Sequence, residues 1–285
     1  TLSISKIFVG IIAGSIAVLG DGIDSATDVV ISIVTLFTAR IVTRPPNNNY
    51  AYGYEKADTI AAKVLSFVIF FAGMQMLISS GKNILFAVPR DLPSIIAIYV
   101  TLFSMIGKLG LAYYQFRQGK LAGSPMLIAN AKNMRNDVII SAGVLVGLFF
   151  TFYLDMPILD SITGLLISLY IIRSAIHIFM ESNVALMDGV KDTSIYTKIF
   201  EAVEKVPGAC NPHRVRSRQI GNMYMIVLDI ETDGELTLNE AHEIADNVEV
   251  SIKQNIENVY DIVVHIEPIG KHHSEEKFGL NRDIL

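Results

Sequence analysis

Three aspartates, Asp21, Asp24 and Asp28, lie in the stretch LGDGIDSATDVVIS, which otherwise has the composition of a membrane-spanning helix. On an α-helix Asp24 and Asp28 share one face, and Asp21 lies one turn before them. Carboxylates at membrane depth are costly and usually face a partner or a water-filled cavity. The spacing therefore favours a cation site over helix–helix hydrogen bonding.

A second apolar stretch repeats the arrangement, because NAKNMRNDVIIS aligns with DGIDSATDVVIS without a gap. The aligned pairs are Asp21 with Asn130, Asp24 with Asn133, and Asp28 with Asp137. Lys132 and Arg135 lie on this second helix, but helical spacing turns them away from the polar face. No intramembrane Lys or Arg is therefore expected to neutralise the acids, and unpaired carboxylates would repel one another.

Asp24, Asp28, Asn133 and Asp137 together supply four oxygen donors. Oxygen-only ligand sets suit Mn²⁺ or Mg²⁺, whereas zinc commonly recruits His or Cys; Fe²⁺ and Co²⁺ remain open. Asn133 cannot take up a proton, so proton exchange must run through the three aspartates. Metal binding would expel their protons, and protonation would expel the metal. That coupling is the minimum chemistry of a metal/proton antiporter.

The composition describes the setting of these residues. The chain has 285 residues, of which 51% are hydrophobic and only 18% charged, with a mean hydropathy of +0.45. These values indicate a polytopic membrane protein with a soluble part. The net charge of -5, without a dense Lys/Arg run, argues against nucleic acid as a partner. The single cysteine excludes an internal disulfide and a thiolate-cluster metal site.

Hydropathy predicts six spanning helices, the first of which we expect to be truncated at its start. The predicted spans cover residues 1–14, 18–42, 57–85, 93–117, 125–153 and 158–181. Lys and Arg are concentrated in the loops between the second and third and between the fourth and fifth spans. Those loops should therefore be cytoplasmic, and so should the C-terminal region.

The residues after about 188 predict a small α+β domain of order αββαβ, with two helices covering one face of a sheet. Thr237 and Glu240 predict a capping box at the start of its second helix. The predicted inward positions of that helix are Leu238, Ala241, Ile244, Val248, Ile252 and Ile256. We expect a transmembrane domain at 1–187, a cytoplasmic dimerisation and metal-binding domain at 188–270, and a mobile tail at 271–285.

The chain resembles the cation diffusion facilitators, a family of divalent-metal/proton antiporters. The resemblance rests on GSIAVLGDGIDSATD, on YGYEK in the second loop, on the repeat in the fifth span and on LDSITGLLIS. It implies a ferredoxin-like or metallochaperone-like cytoplasmic domain, a homodimer, and a transport site at Asp24, Asp28, Asn133 and Asp137. Zinc-exporting relatives usually have His where Asn133 stands, so the manganese-type branch is favoured.

The resemblance also implies a cytoplasmic metal site, often with two metals, at a dimer interface. The matching residues are His213, Asp229, His242, His265 and Glu267. In the second loop, Asn47, Tyr50 and Tyr54 stand where zinc relatives bind metal, so that site should be lost. Relatives use a Lys–Asp bridge between protomers to join the membrane and cytoplasmic parts, and the equivalent residues here are Lys56 with Asp188 or Asp192. Asp160 is expected to cap the sixth span, with a part in an external proton path as the alternative.

These observations predict a homodimeric exporter in the cell (inner) membrane, embedded in lipid, that exchanges cytoplasmic Mn²⁺ for protons. No prosthetic group is expected, and the divalent metal is both substrate and possible regulator. One alternative is the same fold exporting Zn²⁺, Fe²⁺ or Co²⁺. The other is a membrane-anchored metal sensor or scaffold, which would not need matching acids in two spans. An enzyme is disfavoured, since the sequence shows no nucleophile–base pair or phosphate-binding glycine loop.

Overall fold

The computed structural model describes residues 2–86, 91–121, 125–190, 192–220, 223–270 and 279–281. Within these ranges, the side chains at 119, 125–130 and 133 are not described. The chain divides into two compact units. The first comprises residues 1–39 and 61–180, and the second comprises residues 40–60 and 181–285.

Six helices account for the apolar part of the chain. They are α1 (Leu2–Ile12), α2 (Ile16–Val42), α3 (Lys56–Leu85), α4 (Ile96–Leu121), α5 (Pro125–Tyr153) and α6 (Ile158–Leu186). Five of them are long and apolar enough to cross a membrane, whereas α1 is shorter. The prediction of six apolar helices, of which the first is short, is confirmed.

The membrane unit is apolar outside and carries polar groups inside. Large apolar side chains such as Leu36, Phe71 and Phe103 are exposed on the helix surfaces, while Ser80 and Thr101 are fully buried. Lipid tails are as apolar as these exposed side chains, so helix association depends on close packing and interhelical hydrogen bonds. This distribution of side chains is the one expected of a protein that is embedded in lipid.

Two glycines allow α1 to pack closely against α2. A Cβ atom on Gly10 would lie 2.7 Å from the backbone nitrogen of Leu19, and one on Gly22 would lie 2.8 Å from that of Ile7. Such distances are too short for any side chain, and backbone atoms cannot rotate away. Glycine at these two positions therefore sets the helix separation.

The soluble part of the second unit has the predicted order αββαβ. Its elements are α7 (Ser194–Glu204), β1 (Cys210–Ile220), β2 (Met223–Thr232), α8 (Leu238–Asn255) and β3 (Val259–Pro268). The sheet order is β1-β2-β3, with β1 antiparallel and β3 parallel to β2. Both helices contribute to one apolar core on the sheet, which includes Ile199, Val248 and Leu228. The predicted fold class is confirmed.

Helix α8 begins at the predicted capping box, in which the Thr237 backbone N–H donates to Glu240 at 2.8 Å and the Glu240 N–H donates to the Thr237 hydroxyl at 3.3 Å. Val248 and Ile252 are buried as predicted, but Leu238 is exposed and Ala245 is buried instead. The prediction for Leu238 was wrong because the first helical residue lies beyond the edge of the core.

Strand β1 is irregular, with register shifts on both sides of His213 and positive φ at Asn211 and Arg214. Such bulges redirect side chains. Leu280 pairs with Val215 of β1 through two backbone hydrogen bonds of 2.9 and 3.0 Å. The expectation of a mobile tail is therefore wrong for residues 279–281, while residues 271–278 and 282–285 lie outside the described residues.

Candidate metal sites

Helices α2 and α5 bring three of the predicted transport ligands together. The Asp28 carboxyl group lies close enough to that of Asp137 for a hydrogen bond when one of the two is protonated, and Asp24 lies within electrostatic reach of Asp137. Asp137 is buried, and Asp24 and Asp28 are partly buried. The fourth predicted ligand, Asn133, lies on α5 one turn before Asp137, but its side chain is outside the described residues.

Two lysines correct the expectation that the membrane acids have no cationic partner. Lys108 of α4 places its Nζ 3.0 Å from Asp137 Oδ2, at the predicted transport site. Lys6 of α1 places its Nζ 2.6 Å from Asp21 Oδ2. Each lysine is an ionisable residue within an apolar helix, and that property alone marks a residue for attention in a membrane span.

The second pair belongs to a buried cluster shared by three helices. Lys6 donates to the Ser141 hydroxyl at 3.0 Å, and that hydroxyl donates to Asp21 Oδ1 at 2.7 Å. Lys6 and Ser141 are both 0% exposed. Asp21 is thus held by α1 and α5, and it also lies within electrostatic reach of Asp24. Asn130, its counterpart in the repeat, has no described side chain.

Asp160 caps a different helix from the one predicted. Its carboxylate accepts a 2.7 Å hydrogen bond from the Ile16 backbone N–H and a 2.5 Å hydrogen bond from the Ser15 hydroxyl. It therefore supports the start of α2. A negative charge at a helix N-terminus is stabilising, because the first backbone N–H groups lack partners within the helix.

The soluble domain assembles a second group of candidate ligands. One ligand atom from each of His213, Asp229 and Glu267 lies within 4.8 Å of the others, and all three residues are buried. His213 Nδ1 lies 2.8 Å from the Asn211 carbonyl oxygen, which turns Nε2 towards Glu267 Oε2 at 3.5 Å. A ring fixed in this way by a backbone carbonyl is typical of metal-binding histidines.

The remaining two predicted ligands differ in position. His265 Nε2 lies 3.4 Å from Glu267 Oε1, but its side chain is 61% exposed, so it lies at the rim of the buried group. The His242 side chain is 73% exposed and is 3.9 Å from Asp246 on its own helix. Within this chain, the described residues do not bring His242 to the cluster.

Three residues near these groups were not predicted. Arg214 donates to Asp229 Oδ2 at 2.8 Å, so a guanidinium already holds one candidate ligand. Glu231 is buried beside the cluster and accepts a 2.6 Å hydrogen bond from Asn211. Tyr170 of α6 lies within electrostatic reach of the three transport-site acids. The alternation Asp229–Glu231 on one strand could have pointed to Glu231, but no sequence signal marked Tyr170.

Comparison with known proteins assigns the family. Residues 1–187 match the sequence model of the cation efflux transmembrane domain, and residues 192–269 match that of the cation efflux protein cytoplasmic domain. The chain belongs to the cation diffusion facilitator family. It is therefore a multi-pass membrane transporter for cation efflux, with a cytoplasmic C-terminal domain, and the predictions of a transporter and of this localisation are confirmed.

Full-length relatives agree with that assignment. The transporter is 34% identical over 272 residues to the uncharacterized transporter YdbO of Bacillus subtilis, with 94% of this chain and 91% of the relative covered. It is 30% identical to the manganese efflux system protein MneS of the same organism, with the same coverage. It is 27% identical to the cation-efflux pump FieF of Pectobacterium atrosepticum, covering 94% of this chain and 89% of FieF.

The second loop of this facilitator is organised by an amide and two phenols. Asn47 donates to the Tyr54 hydroxyl at 2.7 Å, and its side-chain oxygen accepts from the Asn49 and Tyr50 backbone N–H groups. The Tyr50 and Tyr54 rings lie 4.7 Å apart. The three positions therefore meet in space, but their contacts build a turn, and the loss of a loop metal site stays a prediction.

Lys56 and Asp188, which the family resemblance pairs between two protomers, form an ion pair within one chain of the facilitator. Lys56 Nζ lies 2.6 Å from Asp188 Oδ1, and both side chains are 44% exposed. Exposed pairs of this kind contribute about 0–1 kcal/mol. Asp192 instead accepts hydrogen bonds from the side chain and the backbone N–H of Ser194, and these lower the pKa of the Asp192 carboxyl. Asp188 is thus the partner of Lys56.

Proposed function

We propose that this facilitator exports Mn²⁺ from the cytoplasm in exchange for protons, with Asp24, Asp28, Asn133 and Asp137 as its transport site. The observation that carries the proposal is the meeting of three carboxylates from α2 and α5 inside the membrane unit. A single cation held by two helices gives a site whose access can change when those helices move. Secondary transporters expose such a fixed site alternately to the two sides of the membrane.

The choice of metal follows from the donors. Three carboxylates and an amide are oxygen ligands, which suit Mn²⁺ better than soft or imidazole-preferring ions. The relative MneS, which is 30% identical over 271 residues, is named a manganese efflux protein. Proton exchange follows because carboxylates must lose their protons to bind a metal, so metal and protons compete for the same oxygens.

Transport into proteoliposomes with an imposed pH gradient tests the proposal. Mn²⁺, Zn²⁺, Fe²⁺ and Co²⁺ fluxes should be compared at equal free concentrations, and Mn²⁺ flux should be largest and should depend on the gradient. Asp28→Ala and Asp137→Ala should each abolish Mn²⁺ flux, because each removes one ligand and leaves too few donors. Glu257→Ala, which removes an exposed carboxylate of the soluble domain, serves as the matched control.

Each failure has a distinct meaning. Unchanged flux in the Asp28 and Asp137 variants would refute the site. A Zn²⁺, Fe²⁺ or Co²⁺ flux larger than the Mn²⁺ flux would refute Mn²⁺ as the preferred substrate but would be compatible with the proposed site. Mn²⁺ flux that does not depend on the pH gradient would refute the exchange of metal for protons. Metal binding without flux of any ion would favour a sensor or scaffold.

We further propose that the domain at 188–270 forms a homodimer and binds a regulatory divalent metal. His213, Asp229 and Glu267 form the buried part of the proposed site, His265 lies at its rim, and His242 would join it only from a partner subunit. Mixed imidazole and carboxylate ligands suit several divalent ions. The boundaries 1–187, 188–270 and 271–285 are proposed on the change in composition along the chain.

The cytoplasmic proposal is tested on the whole protein in detergent micelles. Glu267→Gln should remove one class of bound metal without abolishing transport, and light scattering should give the mass of a dimer. If His242→Ala weakens that class as much as Glu267→Gln does, the partner contributes to the site. A monomeric mass, or an unchanged number of bound ions in Glu267→Gln, would contradict the proposal.

A further inference from the structure

Lys108 is a charged residue beside the proposed transport site that has no role in the metal-exchange proposal. Its Nζ lies 3.0 Å from Asp137 Oδ2, and the two side chains are 12% and 11% exposed. It also lies within electrostatic reach of Asp24 and Asp28. Lys108 lies on α4, and α4 packs along α5, the helix that carries Asp137. An ammonium group therefore already holds one of the proposed metal ligands.

The charges around the site are matched to one divalent ion. When Asp24, Asp28 and Asp137 are all deprotonated, as metal binding requires, their carboxylates and the Lys108 ammonium together carry two negative charges. The other membrane pair, Lys6 with Asp21, is neutral by itself. A bound divalent cation would therefore leave this group of described residues neutral. Without the ammonium, the loaded site would keep one uncompensated negative charge inside the membrane, which is costly.

We propose that Lys108 is the built-in counter-cation of the transport site and competes with the metal for Asp137. This inference rests on the proposed transport site. When metal is absent, the ammonium holds the Asp137 carboxylate; when metal binds, it takes over that carboxylate and the Lys108–Asp137 contact breaks. The ammonium stays on α4 as the charge that balances the third carboxylate. Lys108 thus lowers the affinity for metal and favours release.

A purely structural role makes the opposite prediction. If Lys108 only joins α4 to α5, its loss would loosen the ligands and weaken metal binding. If it competes with metal, its loss frees Asp137 and makes the site more negative, so binding tightens. The Lys108–Asp137 pair is mostly buried but not fully dry, so we take it as stronger than a fully exposed ion pair. Removing such a competitor should tighten binding about fivefold to thirtyfold.

The decisive measurement is Mn²⁺ binding to the full chain in detergent micelles, with free Mn²⁺ followed by electron paramagnetic resonance. Every protein in this comparison also carries Glu267→Gln, so that the cytoplasmic cluster does not contribute to the measured Mn²⁺ binding. Lys108→Met and Lys108→Gln remove the charge and keep most of the side-chain length, and Lys108→Arg keeps the charge. Circular dichroism confirms that each protein remains helical.

Tightening of Mn²⁺ binding by about fivefold or more in both neutral variants is expected for loss of a competing charge, with Lys108→Arg within about threefold of the parent. In proteoliposomes the neutral variants should show a lower KM and a lower kcat, because tighter binding slows release. Unchanged or weaker binding in the neutral variants would overturn the role of Lys108. Asp28→Ala and Asp137→Ala keep the two hypotheses apart: if they still bind Mn²⁺ at the parent affinity, the proposed transport site itself fails.

Discussion

The buried pair of Lys6 and Asp21 permits a quantitative test of how the membrane unit holds together. The two charged atoms are 2.6 Å apart, and the side chains are 0% and 1% exposed. Ser141 bridges them through two hydrogen bonds. Lys6→Met leaves the Asp21 carboxylate without its counter-ion in a site that water does not reach. Breaking a buried pair from one side costs about 3–5 kcal/mol in the free energy of unfolding.

The comparison with other variants separates charge from packing. Asp21→Asn alone should cost a similar amount, because it strands the ammonium. The double variant, Lys6→Met with Asp21→Asn, should be more stable than either single variant by about 2 kcal/mol or more, since no charge is stranded. Ser141→Ala keeps the ion pair and loses two hydrogen bonds, which predicts a cost of about 1–3 kcal/mol.

The assay is unfolding in mixed micelles of a mild detergent and increasing dodecyl sulfate, followed by far-ultraviolet circular dichroism. Tryptophan fluorescence cannot be used because the chain contains no tryptophan. Lys253→Met is the matched control, because Lys253 pairs with Glu249 at 3.1 Å on the surface of α8. That exposed pair on one helix should contribute only about 0.3–0.5 kcal/mol. The reasoning would be refuted if Lys6→Met cost no more than Lys253→Met, or if the double variant were less stable than both single variants.

Three further predictions concern other features of the molecule. Gly22→Ala should destabilise the protein by about 1–3 kcal/mol, because its Cβ would meet the backbone of α1 at 2.8 Å; Gly143→Ala, whose Cβ meets nothing within 4 Å, should be neutral or slightly stabilising in the same micelle titration. Asn133→His should shift the ratio of Mn²⁺ to Zn²⁺ flux in proteoliposomes towards Zn²⁺, because imidazole suits zinc; an unchanged ratio would show that Asn133 does not discriminate between the two ions. The Thr237 hydroxyl lowers the pKa of the Glu240 carboxyl in the folded state. The capping box therefore stabilises the folded state at pH values above the unfolded-state pKa of Glu240. This contribution is lost as the pH falls through the lowered folded-state pKa. Thr237→Ala should cost about 1 kcal/mol at neutral pH, seen as faster hydrogen exchange in the first turn of α8, and equal exchange rates in the two proteins at neutral pH would contradict this account.

Much of the fold could be predicted because each signal is local. Apolar length predicts a spanning helix, alternation predicts a strand, and the Thr237–Glu240 pair predicts a helix start, all without knowledge of any neighbour. The same holds for the faces of helices, since Asp24 and Asp28 share a face wherever the helix lies. The repeat between α2 and α5 added one non-local prediction, namely that the two polar faces belong to one site.

Other features depended on which helices are neighbours. Asp160 caps α2, a helix distant from it along the chain, because α6 lies beside the start of α2. His242 follows the family pattern, yet it lies apart from the buried ligands of its own chain, since α8 covers the apolar face of the sheet. Neither arrangement can be inferred from spacing along the chain.

The matching acidic faces of two membrane helices can be inferred from spacing along the chain, because helical periodicity follows from backbone geometry alone. Which cations meet those acids depends on how the helices pack together. Lys6 and Lys108 are visible in the sequence as single charges in apolar segments, but pairing requires two helices to lie side by side with the right rotation. Packing between helices sets that rotation, and it gives one lysine to Asp21 and the other to Asp137.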